Sequence, residues 1–466
     1  MTKKASYIIV SGGTACNHIA RTFHDSAIND ICYVLSISDN GGSSSELLRV
    51  LGGPSIGDLR SRLTRLIDFA DPQPSSPERM AMKDLLSYRL PADATEQEVM
   101  EEWLCIVEGR HSLWNAIPNE KKEAIRGFLT SFHCEALKRA HKRFDFRNGS
   151  IGNFFLTGAR LFLGSLEAAL FLFSAITGIS ERTTVLPVIN TNHTATIAAR
   201  LANGQILAGQ NEISHPPPST SEKRGRHCIP GCRWTHANPI DAFSHLALSN
   251  EDSGDPSSPV VSTNLFFCKE DNTKLAARIE RIYYINQYGQ EIYPLPNPKF
   301  ITQLSSAKET LVYSIGSLYT SIVPCLILRH VGNTIAHSCS LRKKILLLNG
   351  SNDRETSDYD AMDFIQTITA ALNQSRNIDA RHAFYETCDT SSGLATPPFP
   401  EYEFNPYSPS SFITHLIYLD NSAIPVDVKA IESLGIKCVS INGKLSESGL
   451  PIYDELALTE AIQSCS

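Results

Sequence analysis

Short runs of consecutive apolar residues alternate along this chain with stretches whose apolar positions recur every three to four residues. Residues 7–10 run into Ser11-Gly12-Gly13-Thr14-Ala15, residues 31–37 into Ser38-Asp39-Asn40-Gly41-Gly42-Ser43-Ser44-Ser45, and residues 311–315 into Gly316-Ser317-Leu318-Tyr319-Thr320-Ser321. Residues 344–348 precede Asn349-Gly350, residues 415–419 precede Asp420, and residues 438–441 precede Asn442. A continuous apolar run is the mark of a strand buried on both faces. Strands of that kind, each followed by a polar loop and a helical pattern, predict an α/β fold with a mostly parallel sheet and helices on both faces. Such sheets bind ligands beyond the carboxyl ends of their strands. Every glycine- and serine-rich loop named above would lie on that edge.

Three segments interrupt the alternation. Residues 72–147 open on Pro-Gln-Pro-Ser-Ser-Pro and continue with helical patterns at 81–88, 96–107 and 121–142, which predicts a helical insertion within the domain. Residues 194–213 predict a hairpin turning at Asn203-Gly204, a dipeptide that accepts positive φ at both positions. Residues 214–260, rich in Pro, Ser and His, and residues 387–411 predict long, partly mobile loops. With no internal repeat, the expectation is a single α/β domain over residues 5–460.

Length allows a large core, since 466 residues exceed the usual domain size. The 42 basic and 49 acidic residues leave a formal charge of −7, which excludes a broadly basic nucleic-acid binder but not a local anion pocket. The 12 cysteines are scattered without a CxxC pair, so a reduced, cytoplasmic setting is expected. Residues 310–328 carry no charge and are long enough to span a bilayer. Their serines, threonines, glycine and proline instead predict a buried strand, polar loop and helix, and no membrane association. His227, Cys228, Cys232 and His236 are metal-type ligands closely spaced, although their CxxxC spacing is unusual for zinc.

The loops carry the candidate chemistry. Gly12, Gly13 and Thr14 lie between a strand and a helical run, where glycines admit a phosphate and a helix N-terminus supplies N–H donors; a tight turn with no ligand fits the same residues. Asp39, Asn40, Gly41, Gly42 and Ser43 bring a carboxylate, an amide and backbone-permissive glycines beyond the second strand. Ser44 or Ser45 would serve as an N-cap. Asp58, in Gly57-Asp58-Leu59-Arg60, would join Asp39 in holding a divalent cation against a diphosphate, with Arg60 neutralising a phosphate. The plainer alternative makes Asp58 an N-cap. Gly152 and Asn153 open another helix, where Asn153 would donate to a ligand oxygen or cap. Gly316, Ser317 and Thr320 offer N–H groups and hydroxyls suited to phosphate or ribose.

Taken together and in order, SGGTA, SDNGGSSS, GDLR, GSIGN and GSLYTS resemble the phospholactate transferase/YvcK-like (CofD-like) superfamily, whose patterns are GGGTG, DDGGSSG, PPGDIR, Ser-x-Gly-Asn and GPGSLYTS. Tyr88-Arg89 and the Asn-Gly before Glu355-Thr356 are similar as well, and the likeness spans residues 6–445. It implies a Rossmann-like fold with a nucleotide-diphosphate site at the strand ends and Mg²⁺ as cofactor. One branch transfers a phospholactyl or phosphoenolpyruvyl group from a guanosine-linked diphosphate to a deazaflavin hydroxyl. Another, the gluconeogenesis-factor group, binds nucleotide sugars and regulates carbon metabolism. The partner implied is a nucleotide-linked small molecule; folds of this type commonly form symmetric homodimers. This sequence departs from the pattern at Ala15, Asn40, Ile56 and Ser314. The expectation is a protein that binds a nucleotide diphosphate with Asp39 and Asp58 as catalytic and metal-holding residues, but turns over a deazaflavin acceptor poorly.

Overall fold

A computed structural model describes residues 5–24, 26, 28–39, 41, 43–69, 76–139, 141–214, 274–286, 288–387 and 398–465. Asn40, Gly42, the 227–236 histidine–cysteine group, most of the 214–260 loop and the middle of the 387–411 loop lie outside them.

Seven parallel strands form the central sheet: β1 (Ser6–Ser11), β2 (Asp30–Leu35), β3 (Thr183–Pro187), β8 (Thr310–Tyr313), β9 (Lys343–Leu347), β10 (His415–Leu419) and β11 (Lys437–Ile441). Their order is β11-β10-β9-β8-β1-β2-β3. Ile8, Ile9 and Val10 are consecutive and all fully buried, as are Tyr33, Val34 and Leu35. Neighbours on a strand point to opposite faces, so both faces of the sheet are covered. This is the Rossmann-like α/β architecture. From β1 the chain winds outward through β2 to β3, and from β8 it winds the other way. The order therefore reverses between β1 and β8, and such a switch point leaves a crevice at the strand ends. Val10 pairs with Val34 of β2 and Tyr313 of β8, so the three following loops leave the sheet at one level.

A second sheet, of which the sequence pattern predicts only one hairpin, has the order β5-β4-β6-β7. Its strands are β4 (Thr196–Leu201), β5 (Ile206–Ala208), β6 (Ile279–Ile285) and β7 (Glu291–Ile292), all antiparallel. The expected hairpin is β4–β5, but its turn differs. Gly204 N–H donates to the Leu201 carbonyl at 2.9 Å. Only Gly204 (φ +85°) adopts positive φ there, so the loop has three residues, 202–204, rather than two. Two short strands, β12 (Gly443–Leu445) and β13 (Pro451–Tyr453), make a small hairpin near the end.

Between residues 76 and 150 the chain is mainly helical: Pro77–Ser87, Glu96–Val107 and Asn119–Leu137. Thr95 and Glu98 form a reciprocal capping box that starts the second helix. This excursion leaves and returns at one point, where Arg89 bridges Ser150 in antiparallel fashion. Its core is aromatic: buried Trp103 lies 5.3 Å from Phe146 and 5.2 Å from Phe154, ring centre to ring centre. The uncharged run 310–328 becomes β8, a polar turn and two short helical segments. Among the described residues no helix is long and apolar enough to cross a membrane.

Candidate functional site

A cavity of about 700 Å³ opens at the switch point. Three loops build it. The first follows β1 and contributes Gly12, Gly13, Thr14 and Ala15; the second follows β2 and contributes Asp39, Gly41 and Ser44; the third follows β8 and contributes Gly316, Ser317 and Ser321. The helix Gly57–Leu66 adds Asp58, Arg60 and Ser61.

The glycines are there because other atoms leave no room for a side chain. A Cβ on Gly12 would stand 2.7 Å from Ser321 Oγ, and one on Gly57 2.8 Å from Ser44 Oγ. Gly316 takes φ +146° and is clamped by one side chain. Its N–H donates to Asn349 Oδ1 at 3.1 Å, and its carbonyl accepts from Asn349 Nδ2 at 2.9 Å.

Asp39 and Asp58 face the same cavity and feel each other. Asp39 accepts the Gly41 N–H at 2.9 Å, yet burial raises its carboxyl above the ordinary range. Burial, then the charge of Asp39, pushes the Asp58 carboxyl up to about 7, against the Gly13 N–H and the charges of Arg62 and Arg60. Two carboxylates that disfavour one another's charge suit a divalent cation, which would remove that repulsion.

Opposing charge comes from Arg60 and Arg89. Arg60 Nε donates to Asn153 Oδ1 at 3.2 Å, and its stem passes Gly152, where a Cβ would come within 3.0 Å of Arg60 Cγ. Burial, then the neighbouring Arg89, lowers the Arg60 guanidinium to about 10. Arg89 donates to the Asn148 carbonyl at 3.2 Å. Beneath the first loop, fully buried Arg62 reaches Gly12 O at 3.3 Å and lies 4.5 Å from the Tyr33 ring centre.

Of the residues expected at the site, the cavity brings together Gly12, Gly13, Thr14, Asp39, Gly41, Asp58, Arg60, Asn153, Gly316 and Ser317. Asn40 and Gly42 lie outside the described residues, as does the side chain of Ser43. Several local expectations are corrected. Asp58 is not the N-cap, a place taken by Ile56, but sits in the first turn of its helix. Ser44 and Ser45 are inside the helix Ser43–Leu51 rather than ahead of it. Asn153 is inside the helix Ile151–Leu163 and orients Arg60 with its carbonyl oxygen, and Gly152 backs onto Arg60 and the Leu86 carbonyl instead of lining the cavity. Thr320 is buried and donates to Glu355 Oε1 at 2.6 Å, away from the cavity. His18, Arg89, Gln210, Asn211 and Ser321 line it without having been singled out as ligand residues. Arg89 had a sequence signal in the Tyr-Arg pair and Ser321 in the GSLYTS loop; Gln210 and Asn211 arrive through the second sheet.

Fold and cavity define an α/β protein of the Rossmann order with paired carboxylates and arginines at its switch point. The chain belongs to the 2-phospho-L-lactate transferase CofD family, whose pattern it matches over residues 8–439. It is 38% identical over 457 residues to the uncharacterized protein YNL011C of Saccharomyces cerevisiae, covering 93% of this chain and 94% of that one. Two crystal structures of protein BH3568 from Bacillus halodurans, one described as a member of the upf0052 family, are similar in fold. Each has a TM-score of 0.58 at 16% identity, covering 99% and 100% of this chain and all of the other.

Proposed function

We propose that this protein is a group-transfer enzyme that binds a nucleotide-linked phosphoester at the switch-point cavity together with Mg²⁺. The observation that carries the reading is the convergence of Asp39 and Asp58 with Arg60 and Arg89 on one cavity floored by Gly12 and Gly13. Mg²⁺ commonly takes one or two carboxylates and completes its shell with phosphate and water oxygens. The pair Asp39 and Asp58 fits that habit, and their mutual repulsion gives a cation something to relieve. When bound, the ion supplies charge neutralisation at the diphosphate.

The chain's own groups do the rest. The glycine loops leave room for the diphosphate to approach the backbone, and Arg60 takes up negative charge on the phosphorus being transferred. An acceptor hydroxyl oxygen forms the new bond to that phosphorus as the bond to the bridging oxygen breaks. Nucleoside monophosphate leaves with the bridging oxygen, and the hydroxyl proton is lost to solvent. Such transfer depends on positioning and charge, not on a nucleophilic side chain. We place the protein in a reducing cytoplasm, in keeping with the free thiols of every cysteine among the described residues.

A second reading, a nucleotide or nucleotide-sugar binding regulator with little chemistry, is favoured by one feature: Asn40 stands where the family pattern carries its second aspartate. One assay separates the two. Purified protein is incubated with the guanosine-linked phospholactate donor, a deazaflavin acceptor and Mg²⁺, and nucleoside monophosphate is followed. Metal-dependent release supports transfer; saturable nucleotide binding without release supports the regulator; neither would discard both.

A further inference from the structure

Glu355 lies outside the cavity, yet it touches two of its walls. It is 3% exposed. Its two oxygens divide their work. Oε2 accepts the backbone N–H of Tyr319 at 2.9 Å and of Thr320 at 3.2 Å, closing the first turn after the Gly316 loop. Oε1 accepts Thr320 Oγ1 at 2.6 Å and Ser214 Oγ at 2.5 Å. Ser214 ends the turn Gln210–Ser214, whose Gln210 and Asn211 line the cavity, while Ser317 and Ser321 line it from the other side. Neighbouring Arg354 adds a second tie, Nε to the Ile213 carbonyl at 3.2 Å. Asp353 fixes the presenting loop by accepting Glu355 N–H at 3.0 Å and Thr356 N–H at 3.1 Å.

We propose that Glu355 is a positioning residue that sets the distance between the Gln210–Asn211 wall and the Gly316–Ser321 wall of the cavity, and thereby the affinity for the nucleotide ligand. This rests on the reading that the cavity holds a nucleotide diphosphate. Burying a carboxylate is costly unless its lone pairs are filled. Here all the donors that fill them come from two separate wall segments. The same carboxyl is pushed up to about 7 by burial and by Asp353, against these hydrogen bonds, so it is held where a carboxylate is disfavoured. A residue needed only to close one helical turn would not reach Ser214 as well.

The test has a ligand-free arm and a ligand arm. In the ligand-free protein, Glu355→Gln speeds amide hydrogen exchange at 319–320 and at 210–214 together; faster exchange at 319–320 alone would overturn the proposal. In the ligand arm, GDP with Mg²⁺ is titrated calorimetrically. Glu355→Gln weakens binding about 10-fold, as expected when charge-assisted hydrogen bonds are lost. Ser214→Ala weakens it less, and Ser214→Thr, which keeps the hydroxyl, restores it. In a Gln210→Ala/Asn211→Ala background the effect of Glu355→Gln shrinks below about 2-fold, the non-additivity of residues that act through one another. Full additivity there, or wild-type affinity in both Glu355→Gln and Ser214→Ala, would overturn it. Absence of GDP binding in the wild type discards the functional reading and leaves the exchange arm to decide the coupling.

Discussion

Gly13 and Asp58 stand so close that a Cβ on the glycine would lie 2.1 Å from Asp58 Oδ1, and the Gly13 N–H donates to that carboxylate. The first glycine loop is thus moulded around an acid from a helix that starts 44 residues later, since 57 − 13 = 44. Gly13→Ala must push Asp58 or its own loop aside. The expected cost is about 1–3 kcal/mol, typical of overpacking, with loss of Mg²⁺-dependent nucleotide binding. Thermal unfolding and calorimetric titration check the two effects separately; unchanged binding would show that the loop yields freely.

That contact also marks what the sequence can and cannot tell. Uninterrupted apolar runs such as 7–10 and 31–37 announced buried parallel strands, because only a strand covered on both faces needs them. Loops ending those strands share an edge for the same reason, so Gly12, Gly13, Thr14, Asp39, Gly41, Gly316 and Ser317 meet in one cavity. Arg89, Gln210 and Asn211 could not be read this way. Each is an ordinary polar residue whose placement depends on pairing between distant segments: the Arg89–Ser150 bridge, and β4 with β6. Strand β7, two residues long, has no pattern to detect. For Thr320 the sequence is silent, because a hydroxyl beside a glycine loop looks the same whether it faces phosphate or a buried Glu355.

Asp39 is the carboxylate of the second loop, and its Gly41 hydrogen bond orients it across from Asp58. Asp39→Asn keeps the shape and removes the charge. Affinity for nucleotide in the presence of Mg²⁺ falls at least about 10-fold, the effect of losing a charge-assisted contact, whereas affinity in EDTA changes little. Titration with and without the metal reads this directly. Equal Mg²⁺-dependent affinity in wild type and variant would remove Asp39 from the metal site.

The raised carboxyl of Asp58 makes a signed prediction about stability. Its folded-state pKa of about 7 lies above the ordinary aspartate value of 3.8, so between those limits the native state holds a proton that the unfolded chain releases. Stability from this group is fully present below pH 4 or so and is lost as pH rises through about 7. Asp58→Asn abolishes the loss. In metal-free buffer its melting temperature exceeds that of wild type at pH 8, at about 1–2 °C per kcal/mol for a chain of this size, and the gap narrows at pH 5. A gap that widens toward pH 5 would reverse the assignment. Added Mg²⁺ should stabilise the wild type at pH 8 and leave the variant unmoved.

Asn40 gives the last test, because it is the clearest departure of this chain from its family's pattern. Its neighbour Asp39 keeps one carboxylate beside the cavity, and Asp58 supplies a second from the first turn of the helix Gly57–Leu66. A third carboxylate at position 40 raises the negative charge offered to a cation, and charge count is the first determinant of divalent affinity at oxygen sites. Asn40→Asp is therefore expected to tighten Mg²⁺-dependent nucleotide binding and to raise nucleoside monophosphate release above the wild-type rate. In metal-free buffer the same substitution adds a negative charge next to Asp39 in the chain, so the apo protein melts lower. Opposite signs with and without metal are what the proposed site requires, since no change in packing alone would produce them. Loss of stability in both buffers, with no gain in binding or release, would show that position 40 points away from the metal and that the group-transfer reading must rest on Asp39 and Asp58 alone.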